Sequence, residues 1–263
     1  MEILVCAKRV PDTSENEIAL NSAGNDIERD DLVYSVNEPD NYAVEEALQI
    51  ADRAGGNVTV VTVGGEDDEE ILRREMAMGA KNAVLLTDDA FSGSDGRGIA
   101  TILKAFVAKG HYDLILTGVQ AEDGAAQVGG MLAALLDYPF ASLVNSIEVL
   151  NGGKLRVSRE IEGGNKEINE IDLPCVLSIQ TGINEPRYVG MKGIRQVASV
   201  EIPTHGAAEL GVDAGAVGEA GAKVKRTDYF VPAAGKGAEI LKGDREAIID
   251  QLIELVKAKG GAN

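Results

Sequence analysis

The sequence has few cysteines and no long apolar run. Its two cysteines, Cys6 and Cys175, each lie inside a short apolar stretch typical of a strand. This pattern argues against a disulfide framework or a zinc site and favours a reducing, cytoplasmic environment. No apolar run approaches the roughly 20 residues that span a bilayer, and the N-terminal "MEILVCAKRV" lacks the layout of a signal peptide. We therefore expect a soluble intracellular protein that is not embedded in a membrane.

Basic residues and histidines are also scarce. The 25 Lys and Arg residues face 43 Asp and Glu residues, which gives a net charge of −18. Nucleic-acid binding depends on neutralisation of phosphates by Lys and Arg, so that class of function is excluded. The two histidines, His111 and His205, are far apart and have no Asp or Cys at metal-ligand spacing. The sequence therefore predicts no metal site, no catalytic nucleophile and no general base.

Apolar strands and amphipathic helices alternate along the first half of the chain. The strands lack polar alternation, as parallel strands with two covered faces do, and we expect them over 2–8, 57–65, 82–88 and 112–118. We expect the helices over 40–56, 68–80, 98–110 and 128–137. This order predicts an α/β fold with a doubly wound, Rossmann-like parallel sheet.

The pattern changes beyond about residue 141. The segment 155–180 predicts a β-hairpin with its turn at Gly163–Gly164, followed by another apolar strand. Residues 204–237 are rich in Gly and Ala and have weak periodicity, whereas 243–260 predicts an amphipathic helix. We expect an α/β nucleotide-binding domain over 1–203. Residues 204–263 then form a C-terminal arm that ends in a helix and packs on a partner chain.

The loop "GVQAEDGAAQVGG" (118–130) follows one of these strands and opens a helix. One interpretation is structural: Gly118, Gly124 and Gly129 serve a tight strand-to-helix turn. The other is an anion site, in which small residues let backbone N–H groups approach a phosphate at the start of the helix near Val128. Ligands in such sheets bind outside the carboxyl ends of the strands, which also end near Cys6 and Val63. The segment "NEPD" (37–40) begins a helix and lies at the same edge.

The loop "TGINEPRYVG" (181–190) follows the strand near 176–179. From its composition alone it is equally well a plain connector or a protruding recognition loop with one apolar anchor. Its candidate partner-binding residues are Ile183, Asn184, Glu185, Pro186, Arg187 and Tyr188.

Together these segments resemble the β (small) subunit of the electron-transfer flavoproteins. The blocks "CAKRVPD", "NEPDNYAVEEAL", "AMGAKNAVLLTD", "GVQAEDGAAQVGG", "VSREIEGG", "LPCVL" and "NEPRY" occur in the order and spacing of that family over nearly the whole chain. Two departures stand out. The spacing from Gly164 to Pro174 is one residue longer than usual, with Asn169 at an aliphatic position, and the loop after Asp123 is one residue shorter.

The resemblance implies a heterodimer with a larger α subunit that carries most of the redox FAD site. The C-terminal arm would lie on that subunit, and Arg159 near the interface and the flavin. Electrons would pass from flavin dehydrogenases, acyl-CoA dehydrogenases above all, to a quinone reductase or another acceptor. The protein would thus be a carrier rather than an enzyme, with Ile183 as the apolar residue that anchors dehydrogenases.

The resemblance also implies a buried AMP without a redox role in this chain. Its contacts, carried onto this sequence, are Cys6, Asn37, Glu38, Pro39, Asp40, Val63, Gly118, Val119, Gln120, Ala121, Glu122, Asp123, Gly124, Ala125, Ala126, Gln127 and Val128.

Two alternatives remain at this point. A second branch of the family bifurcates electrons, with a second FAD in place of AMP that NADH reduces. The segment "TDDAFSGSD" (87–95) resembles that branch, whereas Gly96 and "REIEGG" resemble the ordinary one. The remote alternative is a stand-alone adenine-nucleotide-binding enzyme. Such enzymes need a Ser-Gly-Gly-rich loop after the first strand, where this chain has Lys8-Arg9-Val10-Pro11-Asp12.

Overall fold

The structure, a computed structural model, describes residues 1–121, 124–233, 235 and 237–260. They form two compact units. The first comprises Met1–Ala19 and Arg29–Thr227, and the second comprises Leu20–Glu28 and the described residues from Asp228 onward. The first unit carries the sheet and the candidate site.

The strands follow the apolar runs of the sequence. They are β1 (Glu2–Cys6), β2 (Arg9–Pro11), β3 (Tyr34–Val36), β4 (Asn57–Val63), β5 (Asn82–Leu86), β6 (Leu114–Gly118), β7 (Phe140–Leu150), β8 (Lys154–Ile161), β9 (Asn165–Asp172), β10 (Cys175–Ile179) and β11 (Thr204–His205). The helices of the first unit are α1 (Glu38–Ala54), α2 (Glu69–Met78), α3 (Gly96–Val107), α4 (Val128–Leu136), α5 (Met191–Val197), α6 (Ala207–Leu210) and α7 (Gly218–Gly221). The second unit contains α8 (Arg245–Ala258).

Nine of these strands form one sheet in the order β11-β5-β4-β1-β6-β10-β7-β8-β9. The pairs from β11 to β7 are parallel, whereas β7, β8 and β9 pair antiparallel. The predicted doubly wound α/β sheet is confirmed. A separate antiparallel ribbon joins β2 and β3.

Helices cover both faces of the parallel sheet. Alternate residues of its strands point to opposite sides, so each strand packs against helices on both faces. Ile3 and Val5 of β1 belong to a buried apolar cluster with residues of α1 and α2. Leu4 belongs to a second cluster with residues of α3 and α4. This two-sided burial explains the continuous apolar strands of the sequence.

The predicted elements are present with ends that differ by a few residues, and the hairpin of β8 and β9 turns at Glu162–Gly164. Three features were not predicted: the ribbon of β2 and β3, the strand β7 and the helix α5. The segment after residue 203, for which we predicted an arm with weak periodicity, contains regular structure. β11 pairs with β5, and the chain up to Thr227 belongs to the first compact unit.

Candidate functional site

The carboxyl ends of β1 and β6 are joined by one buried side chain, Asp40 of α1. Its Oδ1 accepts a hydrogen bond from the backbone N–H of Gly118 at 2.8 Å, and its Oδ2 accepts one from that of Lys8 at 2.9 Å. Because β1 and β6 are adjacent parallel strands, their carboxyl ends lie at the same edge of the sheet. Asp40 thus fixes α1 at the edge where ligands of such sheets bind.

Asn37 makes a second connection from α1 to the loop after β6. Its Nδ2 donates to the carbonyl oxygen of Gln120 at 2.9 Å, and its own N–H donates to the carbonyl of Lys8 at 2.8 Å. Asn37 and Asp40 are buried, Pro39 is half-buried and Glu38 is exposed. The structure therefore brings the predicted segment 37–40 together with Gly118 and Gln120.

Gly118 is required by the close approach of α1. A Cβ atom at this position would lie 2.2 Å from Oδ1 of Asp40 and 2.8 Å from its backbone nitrogen. Gly129 in the first turn of α4 is similarly tight, since a Cβ there would lie 2.4 Å from Oγ of Ser178 and 2.8 Å from Oγ1 of Thr117. Close packing against other elements therefore requires glycine at these two positions, and this is compatible with a ligand at the same edge.

The N-terminus of α4 is the part of this edge best suited to an anion. Its N-cap residue, Gln127, makes no side-chain capping hydrogen bond. Unpaired N–H groups at the start of a helix carry a partial positive charge and bind phosphate or carboxylate groups. Gly124, Ala125 and Ala126 before it are exposed. The predicted contacts Glu122 and Asp123 lie outside the described residues.

The neighbouring helix α3 differs, because an acidic side chain already caps it. Oδ1 of Asp95 accepts from the N–H of Gly98 at 2.9 Å, and its Oδ2 accepts from the N–H groups of Lys223 and Val224. The side chain of Gln127 lies against the first residue of α3, Gly96, where a Cβ would come within 2.9 Å of its Oε1. Of these two N-termini, that of α4 has no capping hydrogen bond from the side chain of its N-cap residue, Gln127, in the described part of the chain.

The other predicted contacts lie at the same edge. Cys6 ends β1 and pairs in register with Thr117 of β6, and Val63 ends β4. Burial, with a smaller contribution from Asp40, raises the pKa of the Cys6 thiol well above its usual range. Cys6 is therefore a neutral thiol at physiological pH. It contributes shape and apolar surface rather than nucleophilic chemistry.

Burial also has the largest effect on the pKa of the Asp40 carboxyl. It raises the pKa of this carboxyl to about 7, against the hydrogen bonds from Asn37, Gly118 and Lys8 that lower it. Asp40 therefore changes charge near neutral pH.

The loop 181–190 is held on α1 by two buried acids. Glu45 accepts from Nε of Arg187 at 2.8 Å and from its NH2 group at 3.1 Å, and it also accepts from the Arg187 backbone N–H at 3.1 Å. Glu46 and the carbonyl of Tyr42 both accept from Nδ2 of Asn184 at 3.1 Å. Burial alone would raise the pKa of Glu45, but its bonds to Arg187 and Gln49 outweigh burial and lower it.

These contacts leave the predicted recognition residues in different environments. Ile183 is half-buried against the apolar cluster of α1 and α2, whereas the side chain of Tyr188 is 91% exposed. Glu185 is exposed and Pro186 is half-buried. The loop thus has an ordered base and an exposed aromatic tip.

Sequence reasoning predicted Asp40 but missed the two acids that hold the loop 181–190. Glu45 and Glu46 are buried on α1, where an acid is normally solvated, so no local sequence signal identifies them. Asp88 was also missed: its side chain accepts from the N–H groups of Ala90 and Ala207 and so ties α6 to the end of β5.

A separate open cavity lies on the antiparallel side of the sheet. Its lining residues are Leu143, Arg159, Glu160, Ile161, Glu162 and Gln180. Arg159 approaches Glu167 and Oγ of Ser142, each at 3.4 Å, while its Nε is buried without a partner among the described residues. The predicted interface residue Arg159 therefore lines a cavity distinct from the edge that holds Asp40.

No helix in the described part of the chain combines the length and the apolar character needed to cross a membrane.

Comparison with known proteins identifies the family to which the chain belongs. The family described as "Electron transfer flavoprotein domain" matches residues 25–210. The chain is 36% identical to the electron transfer flavoprotein subunit beta of Thermoanaerobacterium thermosaccharolyticum, over 98% of this chain and 99% of the relative. It is 34% identical to the corresponding subunit of Methylophilus methylotrophus over the whole of both chains. It is also 35% identical to the caffeyl-CoA reductase-Etf complex subunit CarD of Acetobacterium woodii, over 98% and 99%.

Proposed function

Because the chain belongs to the electron transfer flavoprotein family, as a β subunit, we propose that it works with an α subunit as an electron carrier between flavoenzymes. The observation that carries the proposal is the edge formed by Asp40, Asn37 and the uncapped start of α4, on a chain similar over its full length to such β subunits. We further propose that it works in the cytoplasm, for which its two free cysteines are suited.

We propose that this edge binds AMP. The start of α4, where Gln127 makes no side-chain capping hydrogen bond, suits the phosphate, and the absence of Lys and Arg from 118–139 leaves backbone donors to hold it. The base would lie against the strand ends at Cys6 and Val63. Asp40 would act indirectly, since it positions the backbone of Gly118 and Lys8.

The redox cofactor would be an FAD shared with the α subunit, and it supplies the one- and two-electron chemistry of the complex. The residues of this chain best placed for that interface line the cavity around Arg159. Arg159 is suited to this role because its Nε is buried and unpartnered among the described residues. This chain would contribute charge and shape there, and no acid or base step is required of it.

Docking of dehydrogenases is the proposed role of the loop 181–190. Arg187 and Asn184 hold its base on α1, and Ile183 and Tyr188 supply apolar and aromatic surface of the kind that dominates protein interfaces. Acyl-CoA dehydrogenases are the proposed donors, and a quinone reductase or another oxidoreductase is the proposed acceptor.

A second candidate is the bifurcating type, with a second FAD in place of AMP and NADH as its reductant. The observation that favours it is the loop before α3, whose Phe-x-Gly-x-Asp pattern spans Phe91 to Asp95. Similarity to a subunit of the caffeyl-CoA reductase-Etf complex is compatible with that candidate.

Nucleotide counting tests the two candidates. The chain is co-expressed with its α subunit, the purified complex is denatured, and released FAD and AMP are quantified. We expect one FAD and one AMP per heterodimer, and no reduction of the flavin by NADH. Two FAD per heterodimer with flavin reduction by NADH would replace this proposal by bifurcation. A complex that releases one FAD per heterodimer and no AMP would overturn both candidates.

A further inference from the structure

The loop 91–95, which carries the Phe-x-Gly-x-Asp pattern and immediately precedes α3, packs against a part of the chain that is distant in sequence. That part is the segment 217–224, which includes the short helix α7. Phe91 and Val217 are both buried in the apolar cluster that also contains residues of α3 and α4. The aromatic residue of the pattern is therefore a core residue, packed together with the first residue of the segment.

The two serines of the loop bind backbone N–H groups of the segment. Oγ of Ser94 accepts from the N–H of Gly218 at 2.8 Å and donates to the carbonyl oxygen of Phe91 at 2.8 Å. The carbonyl oxygen of Ser92 accepts from the N–H of Glu219 at 2.9 Å. N–H groups in the first turn of a helix have no partner within that helix. The loop therefore supplies the acceptors that the start of α7 needs.

Asp95 joins the segment to α3 through its two oxygens. Its Oδ1 caps α3 by accepting from the N–H of Gly98 at 2.9 Å. Its Oδ2 accepts from the N–H of Lys223 at 2.7 Å and from that of Val224 at 3.1 Å. Backbone hydrogen bonds, that from Gly98 above all, lower the pKa of the Asp95 carboxyl, so it accepts as a carboxylate. Hydrogen bonds to a charged acceptor are stronger than those between neutral groups.

Glycine is favoured on both sides of this contact. Gly93 has a φ of 75°, and a Cβ atom there would lie 3.1 Å from the Cβ of Glu219. Gly218 has a φ of 63°, and a Cβ atom there would lie 2.2 Å from the carbonyl oxygen of Ala90 and 3.0 Å from that of Ser92. The phenylalanine, the glycine and the aspartate of the pattern thus all serve the contact with the segment.

The segment 217–224 lies in the predicted C-terminal arm, just before the part of the arm that carries α8. Thr227 is the last residue of the first compact unit, and the chain enters the second unit at Asp228. The contacts of the loop 91–95 therefore fix the place where the arm leaves the first unit.

We propose that the loop 91–95 anchors the C-terminal arm, and that Asp95 is the positioning residue that holds the segment 217–224 in place for assembly with the α subunit. A segment that is ordered before binding lowers the entropy that assembly costs. The Phe-x-Gly-x-Asp pattern then has an explanation within this chain that requires no second flavin. This inference rests on the proposed assembly with an α subunit.

The first test uses the full chain and the variant Asp95→Ser. Serine still caps a helix, but it is too short to reach the N–H groups of Lys223 and Val224 as well. Asp89→Ser is the matched control, because Asp89 is an exposed acid shortly before the loop. Hydrogen exchange of backbone amides is measured in the chain, and the Kd for the α subunit is measured by titration.

We expect the amides of Lys223 and Val224 to exchange at least about tenfold faster in Asp95→Ser, because each loses its charged acceptor. The amides of α3 should change little, since its cap is kept. The Kd for the α subunit should rise about tenfold. Asp89→Ser should match the wild type in both measurements.

A second pair of variants tests the anchor from the side of the segment. Gly218→Ala places a Cβ atom against the carbonyl oxygen of Ala90 and leaves the loop itself unchanged. Gly211→Ala is its control, because Gly211 also has a positive φ, of 73°, but a Cβ atom there would meet no atom within 4 Å. We expect Gly218→Ala to raise the Kd for the α subunit at least about tenfold above that of Gly211→Ala. This pair decides if Asp95→Ser does not fold.

Unchanged exchange at Lys223 and Val224 in Asp95→Ser would overturn the inference, and so would faster exchange with an unaltered Kd. A complex of Asp95→Ser that loses FAD or AMP while these two amides exchange as in the wild type would assign the loop to the ligand site, which also contradicts the anchor. A wild-type chain that binds no α subunit would refute the proposed function. The exchange rates would then still decide on the anchor, since faster exchange in Asp95→Ser supports it and unchanged exchange does not.

Discussion

Asp40 shows how one side chain can set the geometry of an edge built from backbone. Each of its oxygens accepts from a different strand end, so its two bonds hold β1, β6 and the start of α1 in one arrangement. An amide of the same shape has only one acceptor oxygen. It would turn its NH2 group toward one of the two backbone donors.

We therefore expect Asp40→Asn to destabilise the chain by about 1–3 kcal/mol at pH 8, where the Asp40 carboxyl is ionised, the cost of a buried donor without a partner. The variant should also lose most of its AMP. Urea unfolding and nucleotide counting measure the two effects, and Asp67→Asn is the control because Asp67 is exposed. A variant that keeps both wild-type stability and a full complement of AMP would contradict the role given to Asp40.

The burial of Glu45 and Glu46 is the part of the candidate site that sequence alone could not predict. The strand ends and the segment 37–40 were found because parallel strands have recognisable apolar runs and a known ligand edge. Glu45 and Glu46 lie in a helical segment where an acid is normally solvated. Their burial depends on groups that are distant in sequence. One of these is Arg187, whose bond to Glu45 spans 142 positions.

At the scale of elements, α1 serves both candidate surfaces. Its first turn holds the nucleotide edge, and its middle holds the loop 181–190 through Glu45 and Glu46. The side chain of Glu45 is 4% exposed and that of Arg187 is 39% exposed. The pair is therefore partly screened by solvent, and its loss should cost less than that of a fully buried pair.

We expect Arg187→Ala to lower stability by about 1–2 kcal/mol, because it leaves Glu45 buried without its fork of donors. Arg187→Lys should recover only part of this loss, since an ammonium group cannot match the two-pronged contact. Urea unfolding gives the stability, and the rate of electron transfer from a dehydrogenase gives the effect on docking. The docking role of the loop would be refuted if Arg187→Ala and Ile183→Glu both left that rate unchanged.

The strand β7 illustrates why some elements escaped prediction. Its sequence "FASLVNSIEVL" mixes exposed and buried positions, and its pairing changes from parallel with β10 to antiparallel with β8. Leu143 within it adopts a positive φ of 57°, and the register shifts on both sides. Such a strand has neither the uniform apolar run nor the strict alternation that identifies strands from sequence.

At the scale of the whole molecule, the helix α8 of the second unit displays a continuous apolar stripe. Ile249, Leu252, Ile253 and Val256 of α8 are all exposed and lie on one side of the helix at the usual 100° spacing. Exposed apolar stripes of this kind mark interaction surfaces. That the C-terminal arm packs on the α subunit stays a prediction, and this stripe is the surface on which it can be tested.

We expect Leu252→Glu to reduce assembly with the α subunit by at least about tenfold, since a charge would replace a buried apolar contact. The folding of the chain itself should not change. Ala247→Glu is the control, because it adds the same charge on the opposite side of α8. Size-exclusion chromatography of co-expressed subunits measures assembly, and equal yields of complex from both variants would show that the stripe is not the interface.

The position of β10 has a consequence for the order of synthesis. This strand lies between β6 and β7, and Ser178 within it bonds to Thr117 across 61 positions at 2.9 Å. The ribosome therefore synthesises the loop 118–130 well before β10, the strand that completes the sheet beside it. The delay is on the order of several seconds at typical translation rates. During that interval Thr117 and the edge of β6 have no neighbour on one side. A slow codon or a bound chaperone during this interval would act on a sheet that still lacks β10. The arm with α8 is synthesised only after all strands of the nucleotide-binding edge.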